Sequence, residues 1–332
     1  MASRILVTSR SYGRYYPDQL EKLKSAGEVE FAEKPPLKED NLVKIIGRYD
    51  AVVAGLDEYT ARVIEEAKSL KVIGRYGVGL DNVDLNAATE HGIIVTYTPG
   101  ANTNAVAEHT FALIFSLVKN IPKLNEAGKR GIWARRGELN RELQGKVLGI
   151  IGLGRIGRAV ARMAKAFDMR VIAYSPHAPK EEADKLGVQL VTLEELLSNS
   201  DIVSIHTSLA PEKYHMIGGK ELKLMKKTAY LVNTARGELI DENALVKALK
   251  NGEIAGAALD VLEKEPPPPD SELLSLDNII ITPHAASHTW EAVKRMGDMV
   301  TEDVIAVLRG MKPKYLANPE VLKKENLRIK IQ

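Results

Sequence analysis

Four side chains that can hold an anion or move a proton follow strand-like apolar runs in the second half of the chain. They are Arg236, Asp260, Glu265 and His284. Ligands of open parallel α/β sheets bind outside the carboxyl ends of the strands, so these side chains are expected to converge. Each residue taken alone has an ordinary explanation. A single arginine such as Arg236 is commonly a surface cation, and a histidine at a strand end is more often structural than catalytic. Together they indicate a catalytic site, with an imidazole and carboxylates for proton transfer and a guanidinium for an anion.

A glycine-rich turn ahead of these side chains predicts a dinucleotide site. An apolar run from residue 147 leads into Gly152-Leu153-Gly154-Arg155-Ile156-Gly157, and a helical run follows. Gly152 permits the sharp turn, Gly154 lets the backbone approach a pyrophosphate, and Gly157 lets helix and strand pack closely. The other explanation is a turn that only packs a helix on a strand. If a dinucleotide binds, the four side chains above are expected at its nicotinamide end.

The elements that position these residues alternate between strand-like and helical periodicity. In the first hundred residues the predicted strands are 5–8, 29–31, 51–54, 72–75 and 93–97, and the predicted helices are 18–25, 38–46, 60–68 and 85–91. A second glycine-rich turn, 76–81, follows the fourth of these strands, so its backbone N–H groups are expected to face a ligand. Alternating strands and helices predict a parallel sheet covered on both faces.

Thr98-Pro99-Gly100 breaks this alternation, and a long helix is predicted over 103–117. The pattern then resumes with predicted strands 147–152, 170–174, 202–206, 229–233, 255–260 and 278–282, and helices 155–167, 179–186, 193–197, 219–225, 242–251 and 287–308. The last helix is long enough to return the chain to the first domain. We therefore predict two doubly wound parallel-sheet domains, one formed by residues 1–99 plus 288–332 and the other by 100–287.

Composition excludes several other classes of protein. A net charge of +2 argues against a nucleic-acid binder driven by bulk electrostatics, and the absence of cysteine removes thiol nucleophiles and thiolate metal sites. The best apolar run, 111–118, is far shorter than the ~20 residues of a membrane span. No cluster has metal-ligand spacing, so no metal is expected. The N-terminus shows no hydrophobic signal region, which favours the cytoplasm.

The chain resembles the D-isomer-specific 2-hydroxyacid dehydrogenase family, by motif from about residue 70 to 310. The matching stretches are 77–84, 106–108, 152–157, 235–237, 260–261, 265–266 and 283–284. Within the family it looks most like the short phosphoglycerate dehydrogenases, followed by the glyoxylate/hydroxypyruvate reductases. The phosphoglycerate dehydrogenases are favoured by three stretches, 100–103, 142–146 and 256–260. The resemblance implies a flavodoxin-like substrate domain and a Rossmann cofactor domain with a cleft between them.

The resemblance also implies roles for the residues at the site. His284 is implied as the general acid/base, Glu265 as the partner that fixes its tautomer, and Arg236 as the clamp for the substrate carboxylate and carbonyl. Backbone N–H groups of Val78 and Gly79 would hold the same carboxylate, so Arg236 and His284 are implied as substrate contacts too. The implied cofactor-binding residues are Gly152, Gly154, Arg155, Ile156, Gly157, Ser175, Thr207, Thr234, Ala235, Arg236, Asp260, His284 and Ala286.

One departure from the usual pattern concerns the choice between NAD and NADP. An NAD site usually carries an acidic residue about 20 positions beyond the glycines, where it binds the ribose hydroxyls. This chain has Ser175 there, so the carboxylate that repels a 2′-phosphate is missing. His177 or Lys180 would be available to pair with such a phosphate. Either Ser175 accepts NADP, or it bonds the ribose and NAD is still preferred; the sequence leaves both open.

The predicted activity is therefore reversible hydride transfer between a nicotinamide cofactor and a small D-2-hydroxy acid or its 2-oxo acid. The sequence does not decide which acid is the substrate; the leading candidates are 3-phosphoglycerate and glyoxylate or hydroxypyruvate. A phosphorylated substrate needs further cations, for which Arg75, Arg135 and Arg136 are available. The alternatives are a dinucleotide-sensing binding protein like the corepressors that share this fold, and a related phosphite or formate dehydrogenase. The resemblance also implies a homodimer, with residues 121–142 at the interface.

Overall fold

The computed structural model describes residues 2–133 and 139–332, and the chain divides into two compact units. The first runs up to Asn102 and resumes over His288–Gln332, whereas the second is Thr103–Ser287. In the described part of the chain, no helix is long and apolar enough to cross a membrane.

Strands of the described residues are, in chain order, β1 (Ser3–Val7), β2 (Gly27–Phe31), β3 (Ala51–Ala54), β4 (Val72–Arg75), β5 (Ile94–Thr96), β6 (Val147–Ile151), β7 (Arg170–Tyr174), β8 (Gln189–Leu190), β9 (Ile202–Ile205), β10 (Tyr230–Asn233), β11 (Gly256–Leu259) and β12 (Ile279–Ile281). Helices are α1 (Pro17–Lys24), α2 (Glu39–Ile46), α3 (Ala61–Glu66), α4 (Leu85–Glu90), α5 (Thr103–Val118), α6 (Ile121–Lys129), α7 (Arg155–Ala166), α8 (Lys180–Lys185), α9 (Leu193–Asn199), α10 (Gly219–Leu224), α11 (Glu242–Lys250) and α12 (Trp290–Leu308).

The first unit is built on a parallel sheet with the strand order β2-β1-β3-β4-β5. This is the flavodoxin-like order, in which the chain reverses direction across the sheet between β1 and β3. Every residue of β3, β4 and β5 is buried, as expected for strands that are covered by helices on both faces. The long helix α12 packs on β3, β4 and β5, so the C-terminal segment completes this unit.

The second unit has a parallel sheet with the order β12-β11-β10-β9-β6-β7-β8, which reverses between β6 and β9 as in a Rossmann fold. Successive residues of β9 point to opposite faces: Ile202 joins the apolar cluster that contains Ile114 of α5, and Val203 joins the cluster that contains Leu245 of α11. The prediction of two doubly wound parallel-sheet folds is confirmed. The sequence pattern predicts six strands here; β8 is a seventh, whose two residues are too few to show periodicity.

Side-chain caps set where several helices begin, and they account for differences from the predicted starts. Thr60 accepts a hydrogen bond from the N–H of Val63, so α3 begins after it. Thr289 likewise accepts from the N–H of Ala292, and α12 therefore begins at Trp290 instead of at the predicted residue 287. These caps satisfy N–H groups of the first helical turn that have no partner within the helix.

A buried carboxyl group near the end of β3 gives a prediction about stability. Asp57 is 1% exposed and accepts a hydrogen bond from the N–H of Leu37. Burial raises its pKa, although hydrogen bonds and the charge of Arg75 act in the opposite direction. A raised pKa means that the stability from this group is present below its unfolded value of about 3.9 and is lost as pH rises through the folded value.

Asp57→Asn is therefore expected to raise the free energy of unfolding at pH 8, because it removes a buried charge and keeps the oxygen that Leu37 needs. The gain should shrink as the pH falls towards 4, where the native carboxyl is increasingly protonated. Urea unfolding of both proteins across this pH range measures the difference. A constant difference, or a loss of stability at pH 8, would contradict the pKa assignment.

Candidate active site

The glycine-rich turn joins β6 to α7, as the sequence predicts. Gly152 has φ +97°, a conformation that favours glycine, and its N–H donates to the carbonyl of Tyr174 on β7 at 2.9 Å. A Cβ on Gly157 would lie 2.1 Å from the carbonyl oxygen of Gly152, so only glycine fits there. A Cβ on Gly154 would meet no described atom within 4 Å. Gly157 is thus required by packing, whereas Gly154 borders open space.

The first turn of α7 has the features of an anion site. Arg155 and Ile156 are its first two residues, and no described side chain caps the helix at Gly154. The N–H groups of a first helical turn lack intrahelical partners and stand at the positive end of the helix dipole. A pyrophosphate can accept hydrogen bonds from them if the backbone is approachable, and the exposed Gly154 leaves that approach clear.

Two alanine substitutions should separate packing from ligand binding at this turn. Gly157→Ala is expected to destabilise the fold by about 1–3 kcal/mol or more, because the methyl group meets backbone. Gly154→Ala should cost less than about 1 kcal/mol, yet weaken dinucleotide binding because the methyl group occupies the approach to α7. Thermal unfolding and titration with NADH and NADPH measure both effects. Unchanged dinucleotide affinity in Gly154→Ala would contradict the assignment of the turn.

His284 and Glu265 form a hydrogen-bonded pair at the carboxyl edge of the second sheet. The Nδ1 atom of His284 lies 2.7 Å from Oε2 of Glu265, and each side chain is about one-third exposed. The other carboxylate oxygen of Glu265 accepts from the N–H of Leu262 at 3.1 Å, which fixes the orientation of the carboxylate. Because Nδ1 is engaged, Nε2 of His284 is the ring atom left to face a ligand.

Asp260 anchors the turn that carries His284. It is 1% exposed, and its Oδ1 accepts from the hydroxyl of Thr282 at 2.5 Å and from the N–H of Ala285 at 2.8 Å. Its Oδ2 accepts from the N–H of Ala286 at 2.9 Å. Burial acts to raise the pKa of Asp260, but the hydrogen bonds it receives outweigh burial and hold the pKa below its usual value. The carboxylate therefore accepts hydrogen bonds from three residues of the turn that carries His284 and holds that turn in place.

Arg236 follows β10 in a loop that a buried amide shapes. The side chain of Asn233 donates to the carbonyl of Arg236 at 2.7 Å and accepts from the N–H of Ala235 at 3.0 Å. The guanidinium of Arg236 donates to the carbonyl of Ala235 at 2.7 Å. Because β10, β11 and β12 are neighbours, the segments that carry Arg236, Asp260 and His284 leave the same edge of the sheet side by side.

The other predicted cofactor residues follow strands on both sides of the reversal between β6 and β9. Thr207 follows β9, and its hydroxyl accepts from Lys213 at 2.8 Å. Thr234 follows β10 and lies 3.1 Å from Thr110 of α5, hydroxyl to hydroxyl. Ser175 follows β7 and is half-buried. The predicted residues therefore share the edge at which Rossmann folds bind dinucleotides.

The two predicted substrate residues outside this unit belong to the first one. Val78 and Gly79 follow β4 in the glycine-rich turn, and both are half-buried. Beneath the turn, the buried guanidinium of Arg75 donates to the carbonyl of Tyr76 at 2.6 Å and to the amide oxygen of Asn82 at 3.1 Å. Arg75 thus supports the turn that presents the backbone of Val78 and Gly79.

Two further residues that the sequence pattern does not indicate, His109 and Thr282, contact each other and Asp260. Nε2 of His109 on α5 lies 3.1 Å from the hydroxyl of Thr282 and 3.4 Å from Oδ1 of Asp260. His109 adjoins the matching stretch 106–108, and Thr282 lies two residues before His284. Neither position is typical of a catalytic pattern, so only the folded chain brings them together.

The remaining histidines of the second unit have other surroundings. His206 lies 2.8 Å from the hydroxyl of Ser204, and burial lowers its pKa to about 3, so its ring is neutral. The sequence shows no cluster with metal-ligand spacing, but in the structure the half-buried His215 approaches Asp241 and Glu263, with ligand atoms within 4.8 Å of one another. Sequence spacing missed this group because its members are distant in the chain. Nε2 of His215 and Oε1 of Glu263 are 3.0 Å apart, so an ordinary side-chain hydrogen bond accounts for the contact.

Fold and site together define a two-unit α/β protein with a dinucleotide-type turn and a histidine–carboxylate pair on the same sheet edge. Residues 111–286 match the family model described as D-isomer specific 2-hydroxyacid dehydrogenase, NAD binding domain. The chain belongs to the D-isomer specific 2-hydroxyacid dehydrogenase family, which confirms the resemblance drawn from the motifs.

Relatives with different names match over most of the chain. It is 46% identical to a D-3-phosphoglycerate dehydrogenase of Methanocaldococcus jannaschii over 98% of its own length and 61% of the relative's. It is 45% identical to a glyoxylate reductase of Korarchaeum cryptofilum over 88% of this chain and 89% of the relative. The structure of a D-lactate dehydrogenase from Aquifex aeolicus, complexed with NAD and lactic acid, matches with a TM-score of 0.84 and 30% identity, covering 96% and 97% of the two chains. The chain therefore spans about three-fifths of the phosphoglycerate dehydrogenase relative.

Proposed function

We propose that this chain is an NAD(P)-dependent D-2-hydroxyacid dehydrogenase, acting on the CH–OH group of a small 2-hydroxy acid or reducing its 2-oxo acid. The observation that carries the proposal is the 2.7 Å contact between His284 and Glu265, on the sheet edge that also carries Arg236 and the glycine-rich turn. Family membership and the names of the relatives support it.

His284 is the proposed general acid/base. A bound nicotinamide would supply or accept the hydride. In the reducing direction, Nε2 of His284 donates a proton to the oxygen of the 2-oxo group, and in oxidation it removes the hydroxyl proton. Glu265 accepts a hydrogen bond from Nδ1 of His284, so Nδ1 keeps its proton and Nε2 is the atom that gains and loses the transferred proton. These two residues then perform the proton transfer in both directions.

Arg236 is the proposed clamp for the substrate. A guanidinium offers parallel N–H donors that match a carboxylate, and its charge stabilises negative charge that develops on the carbonyl oxygen. The loop shaped by Asn233 presents Arg236 just after β10, the neighbour of the strand β11 that precedes Asp260. The backbone N–H groups of Val78 and Gly79 are proposed as further donors to the substrate carboxylate.

The residues of the second unit fit a dinucleotide. The first turn of α7 offers N–H groups for the pyrophosphate, and the missing Cβ at Gly154 leaves space for it to approach. Ser175 follows β7, where a carboxylate would bond the ribose and repel a 2′-phosphate. Because Ser175 is neutral and Lys180 lies five residues further on, we propose that NADP(H) is accepted along with NAD(H).

Ser175→Asp is expected to lower kcat/KM with NADPH by about tenfold or more, since a single unfavourable charge contact of about 1.4 kcal/mol already has this effect. The value with NADH should stay equal or rise, because the new carboxylate can bond the ribose hydroxyls. Steady-state kinetics with both cofactors give the two ratios. If the native protein already rejects NADPH, Ser175 does not confer acceptance.

The identity of the 2-hydroxy acid is the finer part of the proposal. A phosphorylated substrate requires cations, and of the three arginines considered, Arg135 and Arg136 lie outside the described residues. The third, Arg75, is buried and engages Tyr76 and Asn82. Because Arg75 is engaged in this way and the glyoxylate reductase relative matches nearly end to end, we propose a small unphosphorylated acid such as glyoxylate or hydroxypyruvate, with 3-phosphohydroxypyruvate as the second candidate.

A panel of 2-oxo acids with NADH and NADPH tests the function. We expect oxidation of the cofactor with glyoxylate or hydroxypyruvate, and lower kcat/KM with 3-phosphohydroxypyruvate. Formate and phosphite with NAD and NADP are the matched controls for the related dehydrogenases. Dinucleotide binding without turnover of any of these compounds would favour a dinucleotide-sensing binding protein instead.

We also propose that the chain forms a homodimer through the surface around α6. Large apolar side chains are exposed here, including Ile121 (50%), Trp133 (89%) and Leu139 (90%). Exposed apolar groups of this size are typical of protein interfaces. Sedimentation equilibrium should give a dimer, and Trp133→Ser combined with Leu139→Ser should weaken it. Trp290→Ser is the control, and a monomeric native protein would refute the proposal.

A further inference from the structure

The side chains of Thr282 and His109 both donate hydrogen bonds towards the carboxylate of Asp260. An ionised carboxylate only accepts, so the hydroxyl of Thr282 must donate to Oδ1 across 2.5 Å. The hydroxyl oxygen is then an acceptor for His109, whose Nε2 lies 3.1 Å away. Nε2 of His109 must therefore carry a proton. Its second contact, 3.4 Å from Oδ1 of Asp260, has the same direction.

This chain of donors stabilises a carboxylate that is almost completely buried. A buried charge is costly unless hydrogen bonds replace its water, and Asp260 is only 1% exposed. Thr282 and His109 supply the side-chain donors, from β12's end and from α5 respectively, while Ala285 and Ala286 supply backbone N–H groups. Removing a side-chain donor leaves the backbone donors to hold the charge.

Asp260 in turn fixes the backbone on both sides of His284, through its carboxylate after His284 and through its backbone carbonyl before it. Its oxygens bind the N–H groups of Ala285 and Ala286, and the carbonyl of Asp260 accepts from the N–H of His284 at 2.8 Å. His284 itself has φ +51°, in the left-handed region that side chains rarely adopt. Such a conformation persists only where neighbouring contacts impose it.

We propose that His109 and Thr282 are positioning residues which, by binding the carboxylate of Asp260, hold the turn that aims His284 at the substrate. This assignment rests on the proposed function, because the reaction gives the aim of His284 its importance. In this proposal the main role of Asp260 is to anchor the turn that carries His284. His109 joins α5 to the same anchor, so a helix remote in sequence controls the orientation of the acid/base.

Two pairs of variants test this assignment. Thr282→Val removes the hydroxyl at nearly constant shape, and Thr282→Ser restores it. His109→Leu removes the N–H donor, and His109→Gln restores a donor of similar reach. We expect Thr282→Val and His109→Leu to lower kcat by about 10- to 100-fold, as for a misplaced catalytic group, with smaller changes in KM and in dinucleotide affinity. The Ser and Gln variants should recover most of kcat.

A readout that does not depend on turnover separates this proposal from the proposed function. In nuclear magnetic resonance spectra of histidine-labelled protein, the imidazole signals of His284, assigned by their loss in His284→Gln, should shift in Thr282→Val and return in Thr282→Ser. If the native protein reduces no 2-oxo acid but these shifts occur, the function fails and the positioning role stands. Native signals and native kcat in Thr282→Val and His109→Leu would overturn the positioning role. So would losses that the Ser and Gln variants do not recover.

Discussion

Replacing His284 by alanine is expected to reduce kcat by about 10²–10⁴-fold, the range typical of a general acid/base. The substitution removes the Nε2 proton donor and leaves Glu265 without the imidazole that lies 2.7 Å away. The KM for the cofactor should change much less, since the glycine-rich turn of β6 and α7 supplies the proposed phosphate contacts. Steady-state kinetics with the preferred 2-oxo acid measure both quantities.

The matched control for this variant is His91→Gln. His91 lies at the end of α4 in the first unit, and its ring contacts the carbonyl of Ala87 at 3.0 Å. It has no part in the proposed chemistry, so kcat should stay native. Near-native turnover in His284→Ala would refute the assignment of the acid/base.

Arg236→Gln is the second large effect that we expect. Removing the guanidinium should lower kcat/KM by about 10²–10³-fold, comparable with the loss of a donor that stabilises a developing oxyanion. Arg236→Lys keeps the charge but loses the planar pair of donors, so it should recover only part of the activity. Kinetics with a series of 2-oxo acids should show the same loss for each, because all share the carboxylate.

An arginine at the opposite edge of the same sheet is the control for Arg236. Arg170 is the first residue of β7, is exposed, and donates to the side chain of Gln189 at 3.0 Å. Arg170→Gln removes the same charge without approaching the carboxyl ends of the strands, so its kcat/KM should remain native. If Arg236→Gln also remains native, the substrate carboxylate is held elsewhere.

The two parallel sheets, and the residues that follow their strands, could be predicted from the sequence. Buried parallel strands are apolar throughout, Gly152 is required by its positive φ and Gly157 by close packing on backbone, so strands and turn leave clear patterns. The placement of Arg236, Asp260 and His284 after neighbouring strands follows from the same alternation. The start of α12 lies at Trp290 and not at the predicted residue 287, because the cap at Thr289 depends on local side-chain geometry that periodicity does not show.

The surroundings of Asp260 could not be predicted in the same way. His109 and Thr282 are separated by 173 positions, and their 3.1 Å contact depends on how α5 packs beside the sheet. Asp260 was expected to bind the cofactor, and the structure engages its carboxylate with Thr282, Ala285 and Ala286. Periodicity identifies which residues follow a strand, but it does not identify the partners that the fold brings to them.

The most direct test of the central claim is transfer of deuterium from cofactor to product. The protein is incubated with NADH or NADPH carrying deuterium on the transferable face of C4, together with glyoxylate or hydroxypyruvate. Mass spectrometry should find one deuterium on C2 of the 2-hydroxy acid, in an amount equal to the cofactor oxidised, and His284→Ala should slow its appearance. A protein that binds the dinucleotide but transfers no deuterium to any 2-oxo acid would contradict the account.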